Sequence, residues 1–193
     1  MKNKKKALEI ITKKLKGIPW AIFSGTAIEI YSKGKRKGND IDIIVPGDKI
    51  DEIAKRFSAK PVLETREGGG VKLVNDYHIG TIVDGVEVEF VGKTEKIIID
   101  GEVYKSTRDL KRRLFRKVKK KKYLGVNVFV VPVEEILVQK MIFDRSGKWQ
   151  DKKDVRLLLE TEKINKKALL RAMDRWGVKK KKQKIFIEKI IKI

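Results

Sequence analysis

Two short stretches alternate acidic and apolar residues with a period of two, and they constrain the fold more than any other feature of the chain. In residues 38–45, GNDIDIIV, Asp40 and Asp42 fall on one side of an extended strand while Ile41 and Ile43 fall on the other. In residues 85–92, GVEVEFVG, Glu87 and Glu89 share one side, opposite Val86, Val88 and Phe90. A strand lines such carboxylates up about 7 Å apart. An isolated Asp-x-Asp is usually the wet face of a strand. Two such strands side by side bring three or four carboxylates together, and a hard cation with oxygen ligands relieves that repulsion.

The surrounding pattern predicts a mixed sheet with helices packed on it. Ala7, Leu8, Ile11 and Leu15 recur at helical spacing and the helix stops at Lys16-Gly17-Ile18-Pro19. A short buried strand follows in residues 20–25. Residues 26–34 turn into a helix with Thr26 near its start, against the weak propensity of their β-branched residues. Residues 48–58 read as an amphipathic helix capped by Asp48. Strand patterns cover residues 71–83, 85–92, 95–100 and 125–132, with Asp84-Gly85 as a hairpin turn. From residue 132 onward the periodicity is helical. The fold class is therefore α/β in the α+β sense, with a soft boundary near residue 131.

Charge separates the function classes. The 193 residues hold 48 Lys+Arg against 26 Asp+Glu, a formal net charge of +22. Lysine- and glutamate-rich composition also marks heat-adapted proteins, but that explains charge of both signs and not the imbalance. A field of this sign attracts polyanions, and nucleic acid is the default partner. Residues 111–122, KRRLFRKVKKKK, pack nine cations with interleaved Leu, Phe and Val. The absence of cysteine excludes disulfides and thiolate chemistry. No apolar run reaches the roughly 18 residues of a membrane span, and the basic first twenty residues lack the apolar core of a secretory signal. A cytoplasmic protein without membrane contact is the expectation. The single histidine, His78, reads as structural, and Trp20, Trp149 and Trp176 read as packing aromatics.

Ser24-Gly25-Thr26, thirteen residues, then Asp40-Ile41-Asp42-Ile43 resembles the signature of the polymerase-β-type nucleotidyltransferases: a small-residue turn, a spacer, then Asp-hydrophobic-acid-hydrophobic. Residues 125–145, GVNVFVVPVEEILVQKMIFDR, and 149–159, WQDKKDVRLLL, are similar to the strand, proline, Lys-bearing helix and following basic-Asp helix of the abortive-infection group, which includes toxins of toxin–antitoxin pairs. The likeness spans roughly residues 20–160. Three positions depart from the pattern: Thr26 stands where Ser or Gly is usual, Asn39 where Ser or Thr precedes the first Asp, and Arg156 where a second acid is common.

The resemblance implies a catalytic domain over residues 1–131 and a helical portion over 132–193. It implies that Asp40 and Asp42 bind metal, with Glu89 as third carboxylate in preference to Glu87. Ser24, Gly25 and Thr26 would touch a triphosphate, and Lys140 would reach phosphate or acceptor with Asp154 orienting it. An ion pair between Lys140 and Asp144, one turn on, is the alternative role for that lysine. The implied reaction moves NMP from an NTP to an acceptor hydroxyl with two Mg²⁺ ions, Mn²⁺ being able to replace them. The net charge points to RNA, such as tRNA, as acceptor, with Lys119, Lys120, Lys121 and Lys122 as backbone contacts near the mouth of the site. Rival readings are a protein acceptor, hence nucleotidylation such as AMPylation, and a non-catalytic RNA-binding relative. An antitoxin is a further partner that the family implies.

Overall fold

The computed structural model describes residues 2–68, 70–104, 114–143 and 149–191. Asp144, Arg145, the cations at 111–113 and the side chain of Trp149 lie outside the described residues. In chain order the elements are α1 (Lys2–Lys14), β1 (Ala21–Ile22), α2 (Ser24–Tyr31), β2 (Asp40–Ile44), a 3₁₀ turn (Gly47–Lys49) and α3 (Ile50–Phe57). Five strands follow: β3 (Val62–Gly68), β4 (Val71–Val83), β5 (Val86–Lys93), β6 (Lys96–Ile99) and β7 (Glu102–Tyr104). The last part holds β8 (Lys119–Tyr123), β9 (Val126–Val130), α4 (Val133–Ile142), α5 (Trp149–Thr161), α6 (Lys166–Arg175) and α7 (Lys180–Ile191).

One mixed sheet holds all the described strands. β2 lies between β1, to which it is antiparallel, and β5, to which it is parallel. β1 runs parallel to β9, and β8 closes that side as an antiparallel edge. On the other side β4 pairs β3 along one edge and β5 followed by β6 along the other, since Val71 and His78 each have partners on both edges. Ile41, Ile43, Val88 and Phe90 are buried on one face of the sheet. There the Phe57 ring of α3 lies 4.7 Å from that of Phe90, so α3 covers this face.

Local sequence explains most of these elements. In α3 the buried residues Ile50, Ile53, Ala54 and Phe57 form one stripe, and Ser58 ends the helix in the left-handed region. Gly92 admits it: a Cβ there would stand 2.1 Å from Ile50 Cγ1. The cap differs from expectation. Asp48 lies inside the 3₁₀ turn, and Lys49 takes the cap position of α3 with no side-chain capping bond to the helix amides. The turn packs on β5, which delays the helix by two residues. α2 is helical although Ile28 and Ile30 disfavour it, because Gly25 through Tyr31 are all buried and packing overrides propensity. β3, β7 and β8 are strands that the pattern does not predict. β3 is almost wholly exposed and β8 is Lys-Lys-Lys-Lys-Tyr, so neither alternates. Among the described residues no helix is long and apolar enough to cross a membrane.

Candidate active site

Register brings the two acidic pairs together. Asp40 lies beside Glu87 and Asp42 beside Glu89 across the parallel β2–β5 pair, so the four carboxylates stand on one face of two adjacent strands. Depth separates them. Asp40 and Glu87 are exposed, whereas Asp42 and Glu89 are half-buried and line a pocket of about 320 Å³. Asp42 shows the cost of this arrangement. Burial, then the charges of Asp40 and Glu89, push its carboxyl up to about 6, against the opposing pull of a Ser24 hydrogen bond and the Lys140 ammonium.

The first turn of α2 approaches the same carboxylates. Ser24, its first residue, has φ +54°, a left-handed conformation unusual for a residue with a side chain, and its side chain bonds Asp42. Thr26 differs from the triphosphate role expected of it. Its side chain is fully buried, and its hydroxyl donates to the Asp40 carbonyl at 2.6 Å, tying helix to strand. Any phosphate contact at Thr26 falls to its backbone N–H. Gly25 makes room for an arginine: a Cβ there would sit 2.9 Å from Arg36 Nη1.

Arg36 then links this turn to the C-terminal helices. Its Nε donates to Asp154 Oδ1 at 2.8 Å, and Lys140 Nζ stands 3.1 Å from Asp154 Oδ2 and 2.7 Å from Asp151 Oδ1. Asp154 is buried, so two cations hold one carboxylate out of water. The structure therefore brings Ser24, Asp42, Glu89 and Lys140 to one pocket, with Asp40, Gly25 and Asp154 immediately behind or beside it. Arg36, Arg66 and Asp151 belong to the same constellation and were not singled out in the sequence. Arg36 lies in the basic stretch of residues 33–37, KGKRK, and Arg66 in a stretch without strand periodicity.

Arg66 bears directly on whether these carboxylates are free to hold a cation. From β3 its guanidinium bonds both Glu89 and the fully buried Asp76, whose other oxygen accepts from Thr94 Oγ1 at 2.5 Å. His78 packs beside this group, Nδ1 lying 3.4 Å from Asp76 Oδ2, in the structural role expected. With Glu89 held by Arg66, no three acidic or imidazole side chains among the described residues converge closely enough to hold an ion. The three-carboxylate metal set expected of Asp40, Asp42 and Glu89 is thus not assembled in this arrangement. The donor chemistry of Asp40 and Asp42 nevertheless suits a hard divalent cation: two carboxylates on one strand face, one of them with its ionisation opposed by its neighbours.

Lys119, Lys120, Lys121 and Lys122 form the edge strand β8, separated from β2 by β9 and β1, and none of them lines the pocket. Trp20 and Trp176 are buried; Trp176 donates from Nε1 to Glu135 Oε2 at 3.0 Å.

No protein-family profile and no curated protein sequence matches the chain. Solved structures do match in fold. The antibiotic-resistance factor ANT(2'')-Ia is 14% identical, with 90% of this chain and 92% of that one covered and a TM-score of 0.54. An antigenic nucleotidyltransferase-like protein from Paracoccidioides brasiliensis is 16% identical over 97% of this chain and 93% of its own, at a TM-score of 0.53. The lincosamide antibiotic adenylyltransferase LnuA, with lincomycin bound, is 12% identical over 81% and 97%, at 0.50. The chain has the fold of the nucleotidyltransferases.

Proposed function

We propose that the protein transfers a nucleoside monophosphate from an NTP to an acceptor hydroxyl, and that the acceptor is RNA. The observation that carries the transfer reading is the in-register pairing of Asp40-x-Asp42 with Glu87-x-Glu89 beside the first turn of α2. A nucleotidyltransferase fold, shared with a protein named as an adenylyltransferase, supports it. The RNA reading rests on the net charge of +22.

The chain's own groups suit each part of this chemistry. The free amides of a helix's first turn favour anions, and the Arg36 guanidinium, paired through Nε with Asp154, brings its Nη1 over Gly25. Two positive features there attract a triphosphate. Ser24 holds Asp42 in place through its hydrogen bond. Lys140, facing the pocket, offsets charge on the departing pyrophosphate. Asp40 and Asp42 would hold the divalent cation, Mg²⁺ or Mn²⁺, with Glu89 joining once released from Arg66. A bound cation supplies Lewis-acid stabilisation of the α-phosphate and an acceptor hydroxyl of lowered pKa. The acceptor oxygen attacks phosphorus, the α–β bridge breaks, and the hydroxyl proton passes to the carboxylate cluster.

Incubation with each α-labelled NTP, Mg²⁺ or Mn²⁺ and total RNA tests this, with labelled RNA and labelled protein separated afterwards. Label should enter RNA, and Asp40→Asn or Asp42→Asn should abolish it. Undiminished transfer by either variant sinks the enzyme reading. Label in protein alone moves the acceptor to a protein.

A further inference from the structure

The alternation of β8 divides its four lysines between two environments. Lys119 pairs with Val130 and Lys121 with Val128, both buried, and Lys121 Nζ stands 4.5 Å above the Tyr31 ring and 3.7 Å from Glu162 Oε1. These two lysines leave the strand on the packed side of the sheet, Lys121 half-buried and Lys119, at the strand's start, exposed. Lys120 and Lys122 pair with Phe129 and Asn127 on the opposite side. All four of those residues are exposed, and Phe129 is one of the few large apolar side chains left open, at 39%. Among the described residues neither Lys120 nor Lys122 forms an ion pair.

That side of the sheet is also the side of the carboxylates, with the buried Ala21 and Ile44 between them. Ile22 pairs in parallel with Val130, so Phe129 falls beside Ala21, and Ala21 lies opposite Ile44, on the same side of β2 as Asp42. With strands about 4.8 Å apart, Phe129 lies roughly 10 Å across the sheet from β2, and the β8 lysines roughly 14 Å. Trp20 meets the Phe129 ring edge-on at 5.6 Å between centroids, which fixes the ring as a platform and leaves its outer side open.

We propose that Lys120, Phe129, Lys122 and Asn127 form the seat of a single-stranded nucleic acid. A base stacks on Phe129, and Lys120 and Lys122 contact the adjacent phosphates. An exposed aromatic beside unpaired cations is the arrangement that binds single strands without sequence preference. Charge complementarity with a +22 chain selects a polyanion. The proposal rests on and deepens the RNA-acceptor reading: the seat shares one side of the sheet with Asp40 and Asp42, an acceptor strand spans the covered strip over Ala21 and Ile44 to reach them, and Lys119 and Lys121 take no part.

Binding of a fluorescent single-stranded RNA of mixed sequence, followed by anisotropy at several salt concentrations without nucleotide or metal, tests the seat separately from catalysis. Phe129→Leu should weaken binding roughly 5- to 150-fold with the salt slope unchanged, and Phe129→Tyr should restore it. Lys120→Gln with Lys122→Gln should lower the slope of log affinity against log salt by about 1.4. Lys119→Gln with Lys121→Gln should leave the slope intact. Circular dichroism and melting temperature establish that each variant is folded. Equal slopes lost by both lysine pairs, or a Phe129→Leu variant that binds like the parent, overturn the proposal. So does tighter binding of polyglutamate than of RNA, which would assign the face to an acidic protein. RNA binding that meets these expectations while label enters protein alone would overturn the acceptor reading and leave the seat standing.

Discussion

Asp42 carries a charge that the folded chain opposes. Its carboxyl ionises near pH 6 when folded, against 3.8 for an ordinary aspartate. Between those values the folded state holds the proton that the unfolded state has lost, so stability falls as pH rises through the window and stays lowered above it. Asp42→Asn should therefore stabilise the protein at pH 7.5 by about 1–3 kcal/mol, with the gain shrinking below pH 6 and vanishing near pH 4. Urea melts of both proteins across that range measure it. A gain independent of pH would show that repulsion is not its source. Mn²⁺ should raise the melting temperature of the parent and not of the variant, because the cation removes the same repulsion. Glu89 and Glu87 divide on the same physics. Glu89 faces the pocket and Asp42, whereas Glu87 is exposed. Glu89→Gln should lower label transfer at least roughly tenfold more than Glu87→Gln. The reverse ranking would hand the third-carboxylate role to Glu87.

At the scale of elements, the junction of α2 with Arg36 is the part most open to a single methyl group. Gly25→Ala brings a Cβ to 2.9 Å from Arg36 Nη1, the far end of a flexible chain, so the guanidinium moves and the fold survives. NTP affinity should fall about tenfold while the melting temperature changes little. Arg36→Gln should cost the same, and the double variant no more than either single one. Additive losses would separate the two residues. The same junction shows what could be read in advance. β2 and β5 were legible because burial on one face writes a period of two into the chain, and the Gly-Thr-x₁₃-Asp-x-Asp spacing placed α2 beside them. β3 and β8 were not legible, since a strand at or near a sheet edge buries too little to alternate. Arg36 and Arg66 escaped for a different reason. Their partners, Asp154, Glu89 and Asp76, lie far along the sequence and meet only through the sheet and the C-terminal helices. The same long-range closure turned Thr26 inward, which no local pattern shows.

For the whole molecule the imbalance of charge outweighs any individual ion pair. Forty-eight cations against 26 acids leave an excess that no internal pairing removes. Exposed pairs such as Lys180–Asp174 and Lys5–Glu9 each contribute little and weaken in salt. Self-repulsion among the surplus lysines also weakens in salt, and with this excess it is the larger effect. The melting temperature should therefore rise by several degrees between about 20 mM and about 0.5 M salt at neutral pH. Single-stranded RNA should stabilise far more per unit charge at low salt, because it binds the folded surface rather than screening it, and its effect should fade as salt rises. The two curves must then converge at high salt. A melting temperature that falls with salt would mean that ion pairs dominate and that the excess charge is dispersed too widely to act as one field. An RNA effect that persists at high salt would place its binding in stacking on exposed aromatic surface rather than in the phosphates.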